Sequence, residues 1–328
     1  MNATVLRAGI QTSVQDLGRT GYRQFGVSLG SALDSFALRT ANLLVGNEQS
    51  AAGLEITFGG LELRFVDQRL IAWGGGDFDA RIESKIIPAG HAAIARAGET
   101  LKVARPKIGC RSWLAISGGI EVPVVLGSRS TDLRAKFGGF DGRALRDGDI
   151  ISFAANSERT TTLIGKLGEK QLADWTPPHD WSNTAKREPI LRFIRGVNWS
   201  CFGEEAHKQI AVAEFAVSPD SDRMGVRFEG PQLTRNDNID LLSEAVAPGT
   251  IQVPPSGQPI LLLGDCQTIG GYPKIAHVIS VDLSIAAQLR AGDRVRFRES
   301  SLAEAHDLLI ERENRFAQFR QGIQIQLS

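Results

Sequence analysis

The sequence predicts a mainly β protein made of two related halves, and three observations support this prediction. Many of the 35 glycines stand at the ends of short runs of Val, Ile, Leu and Phe, as in residues 53–65 (GLEITFGGLELRF). Short apolar runs separated by Gly and Pro are typical of β-barrels and β-sandwiches. One pattern also recurs in the two halves of the chain, and a polar segment lies between its copies.

The recurring pattern is Leu-Arg-x-Gly-Asp-x-x-x-Phe. It occurs at residues 145–153 (LRDGDIISF) and at residues 289–297 (LRAGDRVRF), and RAGETLKV from Arg96 is a looser third copy. A repeat of this kind favours two related structural units. Residues 156–190 are polar, contain a Pro-Pro pair and indicate a linker or a surface excursion. The predicted domains are therefore residues 1–188, with the polar linker at the end, and residues 189–328.

Two segments have the apolar spacing of helices. The first, residues 31–47, carries apolar side chains on one face, with Ser31 as a candidate N-cap and Gly46 at the end. The second, residues 301–319, predicts a C-terminal helix in the second half. We expect both helices to pack on the β structure.

Composition excludes several classes of protein. Lys plus Arg and Asp plus Glu are both 37, so the chain lacks the basic excess of a general nucleic-acid binder. No apolar stretch predicts a signal peptide or a membrane span, and the three dispersed cysteines fit a reducing compartment, so we expect a cytosolic protein. No Cys/His pair has metal-ligand spacing, so no structural metal is predicted, and a site made of carboxylates alone stays open.

Several motifs of catalysis are absent from the sequence. There is no G-x-x-x-x-G-K-[ST] phosphate loop and no G-x-S-x-G nucleophile motif, and GGGDFDA from Gly74 lacks the dinucleotide spacing. A biotin carrier needs a lysine between two methionines, but neither Met1 nor Met224 adjoins a lysine. Biotin can therefore only be a group carried by another chain.

The polar loops of the second half are the candidate site. The connection between two apolar runs at residues 264–274 is about twice the length that usually joins two strands and is rich in polar residues. Glycines let a backbone approach a ligand, Arg and Lys suit anionic oxygens, and Asp can accept a proton. The candidate residues are Asp222, Arg223, Gln252, Asp265, Gln267, Thr268, Gly270, Gly271, Tyr272 and Lys274.

A structural interpretation competes with this functional one. Ser, Pro, Gly and Asp are ordinary turn residues, and Asp-Arg pairs in loops often act as struts. Two loops of the first half are also rich in polar residues, and the sequence does not show which loops converge. Cys266 lacks a histidine at a telling position and is disfavoured as a nucleophile. The first-half residues are Gln15, Asp16, Arg19, Tyr22, Ser128, Arg129, Ser130, Thr131 and Asp132.

Taken together, seven ordered motifs resemble the biotin-dependent carboxyltransferase family, whose members are also called allophanate hydrolase subunit 2 or the C subunit of 5-oxoprolinase. The resemblance covers roughly residues 5–300. The motifs are QTSVQDLGRTGYRQFGV, ANLLVGN, LEITFGG, LAISGGIEVPVVLGSRSTD, SDRMGVRFEGP, GTIQVPPSGQPILLLGD and QTIGGYPKIAHVISVDL.

The resemblance implies two cyclophilin-like β-barrels and a companion of related fold, similar to the B subunit of 5-oxoprolinase. In such a complex, with a third subunit, 5-oxoproline is opened to glutamate at the expense of ATP. In urea carboxylase the same module transfers a carboxyl group from carboxybiotin to urea. Some relatives are tied to regulation of a sporulation kinase, so a non-catalytic binding protein that acts with its companion on a kinase stays open as the alternative.

The function predicted here is a subunit of an ATP-dependent lactam or amide hydrolase, or of a carboxyltransferase, that is inactive alone. Arg223 and Lys274 are the candidates for stabilising an anion, and Asp265 or Asp222 for acid–base work. Gln252 and Gln267 offer paired donors and acceptors to an amide. We expect Lys274, beside Pro273, to point its charge outward from the end of the barrel.

Overall fold

The polypeptide divides into two compact units in a computed structural model that describes residues 1–236 and 241–327. Unit 1 comprises Met1–Arg19, Gly30–Ala185 and Ala317–Ser328, and unit 2 comprises Thr20–Leu29 and Lys186–Phe316. The polypeptide passes from unit 1 to unit 2 after Ala185, and the sequence predicted a boundary at residue 188. The assignment of residues 20–29 to unit 2 and of residues 317–328 to unit 1 departs from a single cut in the sequence.

Unit 1 consists of two antiparallel sheets and three helices. Its first sheet has the strand order β11-β1-β4-β9-β6-β7, and its second has the order β2-β3-β10-β5-β8. The elements are β1 (Asn2–Ala8), β2 (Gln11–Gln15), α1 (Ser35–Leu44), β3 (Gly53–Thr57), β4 (Leu61–Phe65), β5 (Arg69–Asp77), β6 (Ala80–Ile82), β7 (Lys85–Ile86), β8 (Ala93–Ala95), β9 (Thr100–Val103), β10 (Ile108–Ile116), β11 (Ile150–Ser152), α2 (Glu158–Leu167) and α3 (His179–Ser182).

Both sheets of unit 1 contribute to one hydrophobic core, which includes Val5 and Leu63 from the first sheet and Ile56 and Leu114 from the second. The chain leaves the first sheet at Gly9, whose φ is 77°. A Cβ there would lie 2.4 Å from the carbonyl oxygen of Gly59, so only glycine fits this turn. The strands on its two sides, β1 and β2, belong to different sheets of unit 1.

Helix α1 begins later than its sequence pattern indicates. Its N-cap is Asp34, not Ser31, and the Asp34 carboxylate accepts a hydrogen bond of 2.9 Å from the backbone N–H of Ala37. An aspartate at this position satisfies one of the unpaired N–H groups of the first turn. The helix ends before Gly46, which has a positive φ of 78°.

The segment expected as a linker is an ordered part of unit 1. Helix α2 buries Leu163 and Leu167, and Trp181 in α3 is 4% exposed. The Trp181 ring lies edge-on to Phe36 at 5.1 Å and to Phe319 at 5.7 Å. Such aromatic pairs add stability beyond the area they bury. Contacts with residues that are distant in the sequence explain why this polar segment is folded.

Unit 2 contains a closed barrel in the order β12-β19-β16-β17-β14-β13-β20, with a two-stranded sheet of β15 and β18 beside it. The parallel pairing of β12 with β20 closes the ring. The elements are β12 (Ile190–Arg195), α4 (Glu204–Val212), β13 (Glu214–Val217), β14 (Gly225–Glu229), β15 (Glu244–Ala245), β16 (Thr250–Gln252), β17 (Ile260–Leu262), β18 (Ile269–Gly270), β19 (Lys274–Val278), α5 (Leu283–Ala286), β20 (Arg294–Glu299) and α6 (Leu302–Leu327).

Alternating side chains fill this barrel. In β20, Val295 and Phe297 are buried while their neighbours are exposed, which is the period of two that a strand with one buried face requires. Phe297 packs edge-on against Phe228 at 5.3 Å and against Phe215 at 5.7 Å. The protein is thus mainly β, with a closed barrel, few helices and a C-terminal helix, as predicted.

The repeated sequence pattern forms the same turn in both units. In unit 1, Gly148 has a φ of 88° and donates its N–H to Val5, which returns a bond to the Asp149 carbonyl. In unit 2, Gly292 has a φ of 87° and makes the same exchange with Val217 and Asp293. The looser copy at Gly98 has a φ of 85° and pairs likewise with Phe65. A short pattern therefore predicted a local geometry correctly.

None of the helices in the described part of the chain is long and apolar enough to cross a membrane. Helix α6 is long, but most of its residues are exposed, and Phe316 and Ile323 are its buried side chains among those described.

Candidate functional site

A pocket of about 130 Å³ lies in unit 2 among three barrel strands, β14, β16 and β17, and the loop after β17. Four of the residues predicted from the sequence line it. The lining residues are Asp222, Met224, Gly225, Arg227, Gln252, Ile260, Leu262, Gln267 and Tyr272. The structure thus brings together side chains from three separate stretches of the sequence.

Gln252 is the buried centre of the polar wall. It is the last residue of β16 and is 1% exposed. Its Nε2 donates to the backbone carbonyl of Tyr272 at 3.3 Å, and its Oε1 accepts from Nε2 of Gln267 at 3.3 Å. A buried carboxamide that is paired on both sides is held in one orientation.

Asp222 stands at the mouth of the pocket and is exposed. Its Oδ1 accepts from the backbone N–H groups of Met224 at 2.8 Å and Gly225 at 3.2 Å. Within the described residues, Oδ2 accepts no hydrogen bond. The turn therefore holds the carboxylate in place and leaves one oxygen for a ligand or a proton.

Arg223 and Asp265 form a strut behind this wall. Nε of Arg223 donates to Oδ2 of Asp265 at 2.8 Å, and Nη2 donates to Oδ1 at 3.2 Å, with both side chains 7% exposed. Neither side chain lines the pocket. A bidentate pair of this kind fixes one loop against another. The geometry gives the pair a structural role and leaves Asp222 as the carboxylate that faces the cavity.

Lys274 is less exposed than the sequence suggested. The residue is 8% exposed, and its Nζ lies 2.7 Å from a carboxylate oxygen of Glu244, whose own side chain is 62% exposed. Burial of the aliphatic stem with the ammonium group at the surface is common for lysine. The expectation of an exposed lysine is therefore wrong for the aliphatic stem, which is buried. Lys274 also does not line the pocket of about 130 Å³.

The long loop at residues 264–274 is shaped by a second small sheet. Ile269 and Gly270 pair with Glu244 and Ala245, and the Thr268 carbonyl accepts from the N–H of Val246 at 3.0 Å. The extra length of the loop is thus used to pair with another loop. Gly270 passes so close to Gln252 that a Cβ would lie 2.7 Å from its Nε2, whereas at Gly271 the nearest atom would be 3.3 Å away.

Some residues of the site were not assigned roles from the sequence. Arg227 lies on β14, and its guanidinium makes no hydrogen bond or ion pair in the described part of the chain. Met224 and Leu262 add apolar surface. The alternation of β14 could have identified Arg227 as exposed, but nothing in the sequence indicates that it faces a pocket.

Arg23 reaches the same loop from the N-terminal segment of unit 2. It donates to the carbonyl oxygens of Val246, at 2.5 Å, and Gln267, at 3.3 Å. Burial raises the pKa of the nearby Cys266 thiol, although Arg23 acts in the opposite direction. Cys266 packs with Val246 and Leu262 in a small hydrophobic cluster. A buried thiol of raised pKa is a structural residue and not a nucleophile.

A second, larger cavity of about 500 Å³ in unit 2 also has Tyr272 in its lining. It shares Tyr272 and Gly271 with the long loop, and its walls include Val253, Pro254 and Arg235. Tyr272 is 47% exposed and lines both cavities. No group of three His, Cys, Asp or Glu residues within the described ranges is placed to hold a metal ion.

The unit 1 loops predicted from the sequence also come together, and the Asp16 carboxylate is fully engaged within them. Asp16 accepts hydrogen bonds from Ser128, Ser130, Gly18 and the N–H of Arg129. Gln15 donates to the Thr131 carbonyl at 3.1 Å. These loops form a structural network inside unit 1.

The sequence profile of the family described as "Carboxyltransferase domain, subdomain A and B" matches residues 25–299. The chain belongs to this carboxyltransferase family. The match spans the candidate pocket and the strut behind it.

Curated relatives agree with this membership. The chain is 40% identical to the C subunit of 5-oxoprolinase from Escherichia coli over 301 residues, which cover 92% of each chain. It is 37% identical to the C subunit of 5-oxoprolinase from Haemophilus influenzae, with 93% of each chain covered. These two relatives match this carboxyltransferase-family chain over nearly their whole length.

A solved structure shares the fold. The urea carboxylase of Kluyveromyces lactis superposes with a TM-score of 0.88 and 29% identity, over 98% of this chain and 29% of that one. The same arrangement of sheets and barrel therefore occurs as one part of a much longer enzyme.

Proposed function

We propose that this chain is a subunit of an ATP-dependent 5-oxoprolinase complex and is active only with a companion subunit. The observation that carries the proposal is the 40% identity to the C subunit of 5-oxoprolinase across 92% of both chains. The similarity to urea carboxylase is weaker, at 29% identity. The names of these relatives are those of enzymes or their subunits, which favours an enzyme over a kinase regulator.

The pocket supports a small lactam as the substrate. Its volume of about 130 Å³ suits a small molecule and is below the ~300–1,000 Å³ of pockets for drug-sized ligands. Arg227 can pair with the carboxylate of 5-oxoproline, and Ile260 and Leu262 can contact the ring methylenes. The carboxamides of Gln252 and Gln267 then face the lactam amide.

We assign the catalytic and binding roles from this geometry. Asp222, with one free carboxylate oxygen, is the proposed acid–base group. Lys274 lies at the same loop and is the proposed source of positive charge for an anionic intermediate when Glu244 is displaced. Asp265 is proposed to act through Arg223, which it holds in place. The proposed substrate-binding wall consists of Gln252, Gln267, Thr268, Gly270, Gly271 and Tyr272.

ATP is the proposed cosubstrate of the complex, and other subunits are proposed to bind it. This chain has neither a phosphate-loop motif nor a lysine in the sequence context of a biotin carrier. Biotin therefore takes part only as a group on another chain, if the complex uses it. The companion is proposed to resemble the B subunit of 5-oxoprolinase, with a third subunit. The three cysteines form no disulfide, which supports a cytosolic location.

The test is to co-express the chain with its companion subunits, purify the complex and measure glutamate release from 5-oxoproline with and without ATP. We expect ATP-dependent release by the complex and none by the single chain. Turnover of 5-oxoproline by the single chain would refute the requirement for a companion. Carboxylation of urea, without glutamate release from 5-oxoproline, would assign the chain to the other branch of the family.

A further inference from the structure

Three groups in the pocket form a directional chain of hydrogen bonds. The Tyr272 carbonyl can only accept, so the atom of Gln252 that faces it at 3.3 Å must be the amide nitrogen. The oxygen of Gln252 then faces Nε2 of Gln267 at 3.3 Å. The orientation of both carboxamides follows from this one backbone carbonyl. Gln267 uses one N–H of its side-chain amide in this series of hydrogen bonds and keeps the other N–H available.

Gln267 therefore has a donor and an acceptor to offer to the pocket. Its side chain is exposed, and its Oε1 accepts no hydrogen bond from the described residues. The hydrogen bonds from Gln252 to Tyr272 and from Gln267 to Gln252 are both longer than the usual ~2.9 Å for an N–H···O bond. The two carboxamides can therefore move closer together when a ligand binds to them.

A primary carboxamide edge matches one class of amide. In a small lactam the ring forces the cis form, so the N–H and C=O of the substrate lie side by side and can form two parallel bonds with a carboxamide. Urea offers a similar edge. A secondary amide in the usual trans form places these groups on opposite sides and can form only one of the two bonds.

The protein already contains one pairing in which a glutamine side chain makes two hydrogen bonds to a backbone N–H and C=O. Gln258 accepts from the N–H of Gly230 at 2.9 Å and donates to the carbonyl of Gly230 at 3.0 Å. A glutamine side chain can thus clamp an N–H and a C=O that lie on one side. Gln258 does not line the pocket of about 130 Å³ and serves as a matched control.

We propose that Gln267, oriented by Gln252, clamps the cis amide edge of the substrate and selects lactams and urea-like amides over trans or N-substituted amides. Gly270 is the positioning residue, because a Cβ there would lie 2.7 Å from Nε2 of Gln252 and push that carboxamide aside. This proposal rests on the proposed function for the location of the substrate, but its ligand class is broader than 5-oxoproline.

The test is a binding panel measured by calorimetry on the purified complex and on the chain alone. The probes are 5-oxoproline, 2-pyrrolidinone, N-methyl-2-pyrrolidinone and N-methylacetamide. We expect the N–H lactams to bind roughly ten- to a hundredfold more tightly than the N-methyl lactam and N-methylacetamide, because one bond is lost and a site group is left unpaired. The carboxylate of 5-oxoproline should add affinity over 2-pyrrolidinone through Arg227.

Variants separate the clamp from a merely structural role. Gln267→Glu and Gly270→Ala should bring the affinity of the N–H lactams close to that of the N-methyl lactam, with unchanged thermal stability for Gln267→Glu. Gln258→Met should preserve the preference. Equal binding of N–H and N-methyl lactams by the wild-type complex, or no binding of any lactam to the complex or the chain, would overturn the clamp.

The outcomes also distinguish this clamp from the proposed function. If the complex releases glutamate but shows no preference for N–H lactams, the clamp is wrong and the function stands. If the preference is present and is abolished by Gln267→Glu, but 5-oxoproline is not turned over, the clamp stands and the substrate assignment is wrong.

Discussion

Two clusters of polar loops, one in each unit, use the same residue types in opposite ways. In unit 1, the buried Asp16 accepts four hydrogen bonds from its own surroundings, including the Ser128 and Ser130 hydroxyls at 2.6 and 2.7 Å. In unit 2, Asp222 uses one carboxylate oxygen, and Arg227 and Gln267 keep donors unused. The Asp16 carboxylate is therefore fully used within unit 1, whereas Asp222 keeps one oxygen available at the pocket.

The largest expected effect is the loss of turnover when the charge of Lys274, beside the unit 2 pocket, is removed. Lys274→Met keeps the buried stem and removes the charge, and the loss of one donor to a developing anion costs roughly 10²–10³-fold in rate. The free energy of unfolding should change by less than about 1 kcal/mol, because an ion pair with an exposed partner is worth ~0–1 kcal/mol. Chemical unfolding of the chain and turnover by the complex measure the two.

Glu244→Gln is the control for Lys274→Met, because it removes the pairing carboxylate and keeps the ammonium group. Its turnover should stay near wild type. A Lys274→Met chain that unfolds far more easily while its folded complex stays fully active would make Lys274 a structural strut.

A second test compares the two aspartates. Asp16→Ala should lower the free energy of unfolding by roughly 3–5 kcal/mol, since each buried donor left unpaired costs ~1–3 kcal/mol. Asp222→Ala exposes only two backbone N–H groups that water can reach, so its cost should be about 1 kcal/mol or less. Urea titrations check both values, and Asp16→Asn serves if the alanine variant does not fold. Equal destabilisation by the two alanine variants would remove the contrast between the clusters.

A smaller effect concerns acid stability and the repeated turn. The hydrogen bonds from the Arg143 side chain hold the pKa of Asp149 below its ordinary value of 3.8, despite the opposing effect of burial. A lowered pKa stabilises the fold above the unfolded value, and this contribution is lost as pH falls through the folded value. Asp149→Asn should therefore be less stable at pH 7 and lose less stability on acidification.

Unfolding of Asp149→Asn followed at several pH values below neutrality measures this difference. Asp220→Asn changes an exposed carboxylate that makes no hydrogen bond in the described part of the chain, and it should behave like wild type. Parallel pH curves for wild type and Asp149→Asn would contradict the account of this turn.

The smallest effect is a difference in thiol labelling. Burial raises the pKa of Cys266, and the residue is 0% exposed, whereas Cys201 is partly exposed. Native protein treated with a maleimide should therefore be labelled at Cys201 well before Cys266, as read by peptide mass spectrometry. Labelling of Cys266 at the rate of Cys201 would mean that the hydrophobic cluster beneath the pocket opens.

The features that the sequence predicted well are local ones. The Gly148 and Gly292 turns depend on a positive φ and on neighbours within the motif, so a nine-residue pattern was enough to predict them. Gln252, Gln267 and Tyr272 have hydrogen-bonding side chains in polar loops, and the structure places them at one pocket.

The features that the sequence could not predict depend on distant partners. Trp181 is buried by Phe36 and Phe319, which no local pattern connects with it. Lys274 is paired with Glu244, and Arg23 donates to the Gln267 carbonyl, which is 244 residues away in the sequence. Asp265 had the chemistry of a catalytic acid, and only the position of Arg223 shows that both its oxygens are occupied.

Hydrogen–deuterium exchange of the assembled complex with and without 5-oxoproline tests the central claim most directly, because it locates the ligand without presuming catalysis. We expect protection of amides at residues 222–227 and 264–273 of unit 2 and no change in the loops that hold Asp16 and Ser128 of unit 1. Protection confined to the unit 1 loops, with the unit 2 pocket unaffected, would contradict it.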